Sequence, residues 1–349
     1  MGLIIDKNKK NENIQNNTNN VLIIGTLYIE LDDTAGKDTQ IQKMLIYIID
    51  NKIDILCLQG FVKFSIICEF VNKLENIMKE KYANIKLYYA PQISLENNED
   101  INSFDLTWSS NNENENENID CIIISTYPIL NFSKIKFIHH LDLINSPKYI
   151  ILANINYNNI LISVYSLSLQ ENLVGIRNTT IRKQQIEQLK SIILTNKSTI
   201  KNDLCINNIK NQNIHIMCGN LNINEIENDV INKEYINIFR KMKFIDTYKY
   251  VMKYKQLEQN DSTNIYGFRT SYITIFAEHI DTNNTNNTNN IIDYITHYLH
   301  DNYGLLIINS NIIHLEGFDN FIIKSSFVIS DLHITNSSPI INKIITNEL

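Results

Sequence analysis

Residues 214–222 constrain the fold of this chain more than any other stretch. An apolar run over 214–218 is followed by Gly219 and then by Asn220 and Asn222, which a single leucine separates. An apolar run that meets a glycine and then polar side chains is typical of a buried strand ending at a cleft. In an extended chain the two amides would point to the same side. The stretch predicts a strand that carries two amides into a cleft, and an ordinary asparagine turn is the alternative.

The first sixty residues predict two buried strands joined by a helix. Residues 21–29 and 54–59 are apolar runs of strand length, and Asp38 and Thr39 between them are good helix caps. Two buried strands joined by a helix are typical of a parallel crossover. The apolar residues of the helix recur at helical spacing, and they are Ile41, Met44, Leu45, Ile48 and Ile49.

The later apolar segments predict further helices and strands separated by polar stretches. Asn158 and Asn159 form a pair of the kind that joins the two strands of a hairpin. Predicted helices cover 64–78, 177–195 and 234–242, and predicted strands cover 86–90, 121–125, 149–155, 160–169, 214–219, 244–246, 291–298, 307–315, 321–323 and 327–334.

Asparagine-rich segments mark the limits of the predicted core. Residues 1–20 are rich in Lys and Asn and predict a disordered arm, and residues 337–349 form a C-terminal tail. The low-complexity stretches 96–118 and 281–290 are typical of solvated loop insertions. Because no linker divides the apolar segments, we expect a single α/β domain over 21–336.

Charge and cysteine content limit the classes of partner and compartment. The formal net charge of −7 argues against nucleic acid as a partner, because nucleic-acid affinity comes mostly from Lys and Arg. The five cysteines show neither paired nor zinc-site spacing. Since the N-terminus also lacks a signal-peptide core, we expect a cytoplasmic protein. No apolar run is long enough for a transmembrane segment.

Short motifs in a fixed order carry a resemblance to a known family. In chain order they are Thr26-Leu27-Tyr28, Asp54 to Gln59 followed by Gly60, Ser125-Thr126-Tyr127-Pro128-Ile129, Leu167-Ser168-Leu169-Gln170, Gly219-Asn220-Leu221-Asn222, Asp293-Tyr294-Ile295 and Ser330-Asp331-Leu332-His333. From about residue 20 to 336 the chain resembles the endonuclease/exonuclease/phosphatase superfamily, and most closely its neutral sphingomyelinase branch. Lys148, Arg182 and Gln185 also resemble that branch. The resemblance implies a DNase I-like fold, a four-layer α/β/β/α sandwich with two mixed, largely antiparallel sheets.

The resemblance also implies a chemistry, and this chain departs from it at the metal ligands. Members cut a phosphodiester with water activated beside Mg²⁺, a cation that prefers carboxylate and amide oxygens. The family ligands are an Asn on the first strand and a Glu after Leu-Gln. Tyr28 and Gly60 stand at these positions here. Asp331 matches a further metal ligand of the family.

The acid–base positions of the resemblance are changed as well. Asn220 replaces an Asp, and an amide cannot relay a proton. Ser168, or Ser166 in the other register, replaces the His of the Thr-His-Leu motif. Leu332 replaces the last His, with His333 next to it, where only a β-bulge would return the imidazole to the cleft.

Two family positions keep their polar residue types, Asn222 as the second amide and Asp293 as the carboxylate that steadies the catalytic His. The resemblance thus implies a catalytically impaired pseudo-phosphodiesterase that acts by binding, with no cofactor. The alternative is a Mg²⁺-dependent, sphingomyelinase-like phosphodiesterase with a site rebuilt from other groups, which would be drawn from Asp32, Asp33, His297 and His333. The expected partner is a phospholipid headgroup or a protein.

Overall fold

The computed structural model describes the chain in segments. They are residues 21–29, 37–60, 64–82, 85–91, 121–141, 148–172, 178–203, 210–223, 242–254, 271–276, 305–314 and 321–329.

The described strands form two sheets of six strands each. The first sheet contains β1 (Val21–Tyr28), β2 (Ile55–Gln59), β3 (Tyr88–Ala90), β4 (Cys121–Ser125), β11 (Leu305–His314) and β12 (Phe321–Ile329), in the order β11-β12-β1-β2-β4-β3. The second contains β5 (Ile129–Lys136), β6 (Tyr149–Tyr157), β7 (Ile160–Ser168), β8 (Lys210–Asn220), β9 (Phe244–Asp246) and β10 (Ser271–Phe276), in the order β5-β6-β7-β8-β10-β9.

Helices cover the outer faces of both sheets. α1 (Lys37–Asp50) and α2 (Phe64–Lys81) bury their apolar faces against the first sheet, and α3 (Thr179–Asp203) packs on the second. A third apolar core lies between the sheets and includes residues of the short helix α4 (Thr247–Tyr254). The order of layers is therefore helix, sheet, sheet, helix. None of the described helices is both long and apolar enough to cross a lipid bilayer.

The architecture confirms the predicted α/β/β/α sandwich. β1 and β2 pair in parallel around α1, as do β7 and β8 around α3, while the other described pairs are antiparallel. The five apolar residues predicted for the inner face of α1 are all buried. Asn158 and Asn159 join β6 to β7 with φ angles of 49° and 65°, the left-handed pair that a type I′ hairpin turn requires.

Some elements differ from the sequence prediction. β5 lies at a sheet edge and alternates between half-buried and exposed residues, which gives a weak apolar signal. β10 and α4 are two further elements that the sequence analysis does not predict. The predicted strands 321–323 and 327–334 are instead one strand, β12, because Ser325 continues it by hydrogen bonding Thr247 Oγ1 at 2.9 Å and Ser310 Oγ at 2.8 Å. Residues 234–241 and 291–298 lie outside the described segments.

The parallel pairing of β7 with β8 depends on the absence of a side chain at Gly219. Gly219 lies opposite Leu167 with φ +156°, and a Cβ built there would be 1.9 Å from the Leu167 carbonyl oxygen. We therefore expect Gly219→Ala to reduce the free energy of unfolding by on the order of 3 kcal/mol or more. Chemical denaturation measures this loss.

Gly25→Ala is the matched control for this glycine substitution. The three atoms nearest to a Cβ at Gly25 all belong to side chains, with Ile53 Cδ1 at 2.9 Å, Ile53 Cγ2 at 3.3 Å and Leu56 Cδ1 at 3.5 Å. The expected loss is no more than about 1 kcal/mol, because a side-chain terminus can move aside. Equal losses for the two variants would contradict the close backbone contact between β7 and β8.

Asp54, at the amino end of β2, gives the fold a pH dependence. Its Oδ2 accepts a hydrogen bond from the Ile23 amide at 2.8 Å, and burial raises the pKa of Asp54 to about 6. The folded state therefore keeps a proton that the unfolded chain releases above about pH 4. This contribution is complete below the unfolded pKa and is lost as pH rises through the folded pKa.

We expect the stability of the wild type relative to Asp54→Asn to fall by on the order of 2 kcal/mol between about pH 4 and pH 7. The amide of the variant can accept from Ile23 but does not titrate. Urea unfolding of both proteins across this pH range measures the difference. A constant difference would show that Asp54 titrates normally in the fold.

Candidate ligand site at one end of the sandwich

Both parallel strand pairs end at the same end of the sandwich. β1 contacts β8 and β10 of the facing sheet, and β2 contacts β7 and β8. The carboxyl ends of β1, β2, β7 and β8 therefore lie around one opening, together with the amino end of β10. The inward-facing residues at this opening, here called the mouth row, are Tyr28, Gln59, Ser168, Asn220 and Ser271.

A chain of hydrogen bonds beneath the mouth row joins the two sheets. Thr26 Oγ1 donates to Gln59 Oε1 at 3.2 Å, and Gln59 Nε2 donates to Ser166 Oγ at 3.0 Å. All three side chains are buried. Gln59 thus uses both ends of its amide within the protein and fixes the first sheet against the second at the base of the opening.

The turn after β8 is not extended, so Asn220 and Asn222 do not share a side. Asn222 has φ +52°, and its backbone amide donates to Asn220 Oδ1 at 3.0 Å. Its side-chain Nδ2 donates to the Leu169 carbonyl at 2.6 Å. This corrects the expectation of two parallel amides: Asn220 remains in the mouth row, while Asn222 fastens the loop that follows β7.

Three mouth-row side chains lie side by side on neighbouring strands. Asn220 is paired with Ser168 across β7 and with Ser271 across β10. Ser168 is fully buried, Ser271 is 2% exposed and Asn220 is 3% exposed. Neither Ser168 Oγ nor Ser271 Oγ has a hydrogen-bond partner among the described residues. The site therefore holds two buried hydroxyls whose hydrogen-bonding capacity is unused within the described fold.

The surroundings of Gly60 leave no room for a side chain at the position where the family resemblance expects a glutamate. Its φ is +83°, a conformation that residues with side chains rarely adopt. A Cβ built on Gly60 would lie 2.6 Å from the Ile29 carbonyl oxygen and 2.7 Å from Cε2 of Tyr28. The Tyr28 ring and the β1 backbone together occupy the space that a side chain at residue 60 would need.

The described part of the site does not fit a magnesium ion. Mg²⁺ prefers oxygen ligands in near-octahedral geometry and usually takes one or two carboxylates. The mouth row contains no carboxylate, and the amide oxygens of Gln59 and Asn220 already accept hydrogen bonds from the protein. Across the described segments, no cluster of three His, Cys, Asp or Glu residues could hold a metal ion.

The start of α3 fastens two loops beside the opening. Buried Arg182 donates from Nη1 to the Gln170 carbonyl at 3.0 Å and to Asn172 Oδ1 at 2.8 Å. Gln185 accepts from the Gln170 amide at 2.9 Å and donates to the His139 carbonyl at 2.9 Å. These two family-like residues hold the loops after β7 and β5 by hydrogen bonds to backbone and amide groups.

Buried cysteines below the mouth row are not suited to nucleophilic chemistry. Cys57 and Cys218 are fully buried, and Cys121 is nearly so. Burial, with Cys218 as a neighbour, raises the pKa of the Cys57 thiol well above its usual range. A buried thiol with a raised pKa stays protonated and inert.

Several predicted site residues lie outside the described segments. They are Asp293, Asp331 and His333, and the alternative groups Asp32, Asp33 and His297. The direction of β12 bears on the assignment of the residues that follow it. β12 runs antiparallel to β1, with Thr26 opposite Ile323 and Val21 opposite Val328, so it begins at the mouth end and finishes at the far end of the sheet.

Ser271 is the site residue that the sequence prediction missed. Tyr-Ile follows both Ser271 and Asp293. The aspartate makes the second occurrence the better match to the family motif. The structure places the first occurrence on β10, with Ser271 directly beside Asn220. The available signal was the apolar run 271–276, which has strand length but is bordered by polar stretches.

Comparison with known proteins gives a match in structure and none in sequence. No protein-family model matches the chain, and no curated protein matches it. An endonuclease/exonuclease/phosphatase family protein from Leptotrichia buccalis superposes with a TM-score of 0.51 at 15% identity, covering 87% of this chain and 98% of that chain. Sphingomyelinase C from Streptomyces griseocarneus gives 0.51 at 12% identity, with 88% and 99% coverage. The chain therefore has the DNase I-like fold of the endonuclease/exonuclease/phosphatase superfamily.

Proposed function

We propose that this protein binds a ligand at the mouth row and does not hydrolyse phosphodiesters. The observation that supports this most strongly is the closure of residue 60 by Tyr28 and Ile29. The Ile29 carbonyl oxygen and the Tyr28 ring lie 2.6 Å and 2.7 Å from the point that a Cβ of residue 60 would occupy, so residue 60 cannot carry the glutamate of the family without a rearrangement of the backbone and the ring.

The chemistry of the remaining groups supports the same proposal. Hydrolysis by water needs a base to take a proton and fixed charges to stabilise the transition state. Asn220 and Gln59 cannot accept a proton at neutral pH, and Ser168 has no imidazole bonded to it among the described residues. Loss of one preorganised charge stabiliser typically costs about a hundredfold or more in rate.

The proposed ligand is a phospholipid headgroup or a phosphorylated group on a protein. The net charge of −7 disfavours nucleic acid, whose binding requires an excess of Lys and Arg. One of the structural neighbours is a sphingomyelinase C, an enzyme that acts on a phospholipid. The structural match between the two proteins covers 88% of this chain. The competing function is a Mg²⁺-dependent phosphodiesterase whose carboxylates come from residues such as Asp293 and Asp331.

We expect purified protein to show no Mg²⁺-dependent hydrolysis of sphingomyelin or of a generic phosphodiester above the uncatalysed rate. Release of phosphocholine or of a chromogenic leaving group measures this, with an active sphingomyelinase C as the positive control. Magnesium-dependent turnover that disappears in Asp331→Ala would refute the binding-only proposal and establish the phosphodiesterase.

Restoring the family carboxylate is expected to fail for a steric reason. Gly60→Glu should lower the free energy of unfolding by about 2 kcal/mol or more, because of its positive φ and the contacts of its Cβ. In the double variant Tyr28→Asn/Gly60→Glu the ring contact is gone, but the contact with the Ile29 oxygen at 2.6 Å remains. We therefore expect the double variant to stay destabilised and to gain no Mg²⁺ site.

Tyr28→Asn alone is the control for Gly60→Glu and for the double variant, because it removes the ring and leaves Gly60 unchanged. Denaturation and calorimetric titration with Mg²⁺ measure both properties. A stable Gly60→Glu protein that binds one equivalent of Mg²⁺ would contradict the closure of this position.

A further inference from the structure

The described sheets end in four edge strands, and one of these edges differs from the others. The edge strands are β3, β5, β9 and β11. β3 and β9 have three residues each, and very short edge strands resist pairing with a further chain. β5 carries Lys134 and Lys136, and lysine at an edge has the same effect. β11 is ten residues long and contains no Asp, Glu, Lys, Arg, Pro or Gly. Among the described strands it is the long edge without charge.

The residues at the middle of β11 alternate between the core and the outer face of the sheet. Ser310 is buried and points into the interior, where its Oγ lies 2.8 Å from Ser325 Oγ. Asn309 and Asn311 flank Ser310 and therefore point to the opposite, outer face. Asn311 is exposed and Asn309 is half-buried. The outer face of this edge thus presents two neutral amides.

The sequence of β11 is symmetric about Ser310. Residues 307–313 read Ile-Ile-Asn-Ser-Asn-Ile-Ile in either direction. Two antiparallel copies centred on Ser310 place Asn309 of one opposite Asn311 of the other. The same register places Ile308 opposite Ile312. An interface on a two-fold axis must be complementary to itself, and amide with amide and apolar with apolar meet that requirement, because an amide both donates and accepts.

A β-bulge lies at one end of this symmetric stretch and leaves its centre regular. The pairing of β11 with β12 shifts between Ile307 and Asn309, which makes Ile308 the extra residue. From Asn309 to His314 each residue pairs with β12 without a further shift. In the register centred on Ser310, the paired asparagines of the two copies both lie on outer faces. The inner face of one sheet therefore continues as the inner face of the other.

We propose that this protein forms a two-fold symmetric homodimer in which β11 pairs antiparallel with β11 of a second copy. The pairing is centred on Ser310 and joins the first sheets of the two copies into one continuous sheet. The unpaired backbone groups of each edge supply the hydrogen bonds. Because β11 ends at the mouth end of the sandwich, the antiparallel arrangement turns the two mouths in opposite directions. Dimerisation therefore leaves both mouth rows open.

The first test is sedimentation velocity of the full-length protein over about a hundredfold range of concentration. We expect a reversible equilibrium between monomer and dimer, with no larger species, because the two-fold pairing occupies the β11 edge of both copies. A protein that stays monomeric throughout, as it would if another segment of the same chain covered β11, would overturn the proposal. An open series of larger species would also overturn it.

Two double variants that differ at a single residue test the register. In Asn309→Glu/Asn311→Glu, a carboxylate of one copy faces a carboxylate of the other at both symmetric positions. In Asn309→Lys/Asn311→Glu, an ammonium faces a carboxylate at the same positions. Both variants carry the same change opposite Lys324 of β12, so its effect within one chain is matched. We expect dimerisation to weaken on the order of tenfold or more in the first variant and to stay within about threefold of the wild type in the second.

Ser133→Glu is the control for added negative charge, because Ser133 is exposed on β5 at the edge of the second sheet. It should leave dimerisation unchanged. Circular dichroism reports whether each variant folds, and Asn309→Lys/Asn311→Lys repeats the repulsion with the opposite sign if the first variant does not. Equal dimerisation of the self-repelling variant and of Asn309→Lys/Asn311→Glu would overturn the pairing centred on Ser310.

Discussion

Face-to-face packing of the two sheets determines everything else about this molecule. Successive side chains of a strand point to opposite faces, so alternate residues of each sheet meet in one shared interior. Apolar residues fill that interior along most of its length. At the carboxyl ends of β1, β2, β7 and β8 the same positions hold polar residues, and the hydrogen bonds from Thr26 through Gln59 to Ser166 keep the sheets in contact there. The site is the polar end of the core.

At the mouth row, the first sheet leaves no room for a side chain at residue 60, and the second sheet carries hydroxyl groups without hydrogen-bond partners among the described residues. On the first sheet, Tyr28 lies against Gly60 so closely that no side chain fits at residue 60. On the second, Ser168 and Ser271 bury hydroxyls without partners among the described residues. Unpartnered buried hydroxyls reduce stability, and proteins commonly tolerate such a cost at binding sites. The described part of this end of the fold therefore offers no carboxylate to a metal ion and offers two unused hydroxyl groups to an acceptor-rich group.

Sequence reasoning was most accurate where local periodicity and core packing agree. The five apolar residues of α1, the strand before Gly219 and the Asn158–Asn159 turn follow directly from residue type and spacing. It was least accurate where tertiary contacts decide. Ser325 continues β12 through hydrogen bonds to residues distant in sequence, and Ser271 joins the site through a strand pairing that no local signal encodes. The closure of Gly60 likewise depends on a backbone angle and on the position of a ring.

The most direct test is a crystal structure of the protein grown with both Mg²⁺ and phosphocholine. The predicted result is phosphocholine density at the mouth row, with no metal ion beside it. A magnesium ion coordinated between the phosphoryl group and protein carboxylates near Gly60 would contradict it.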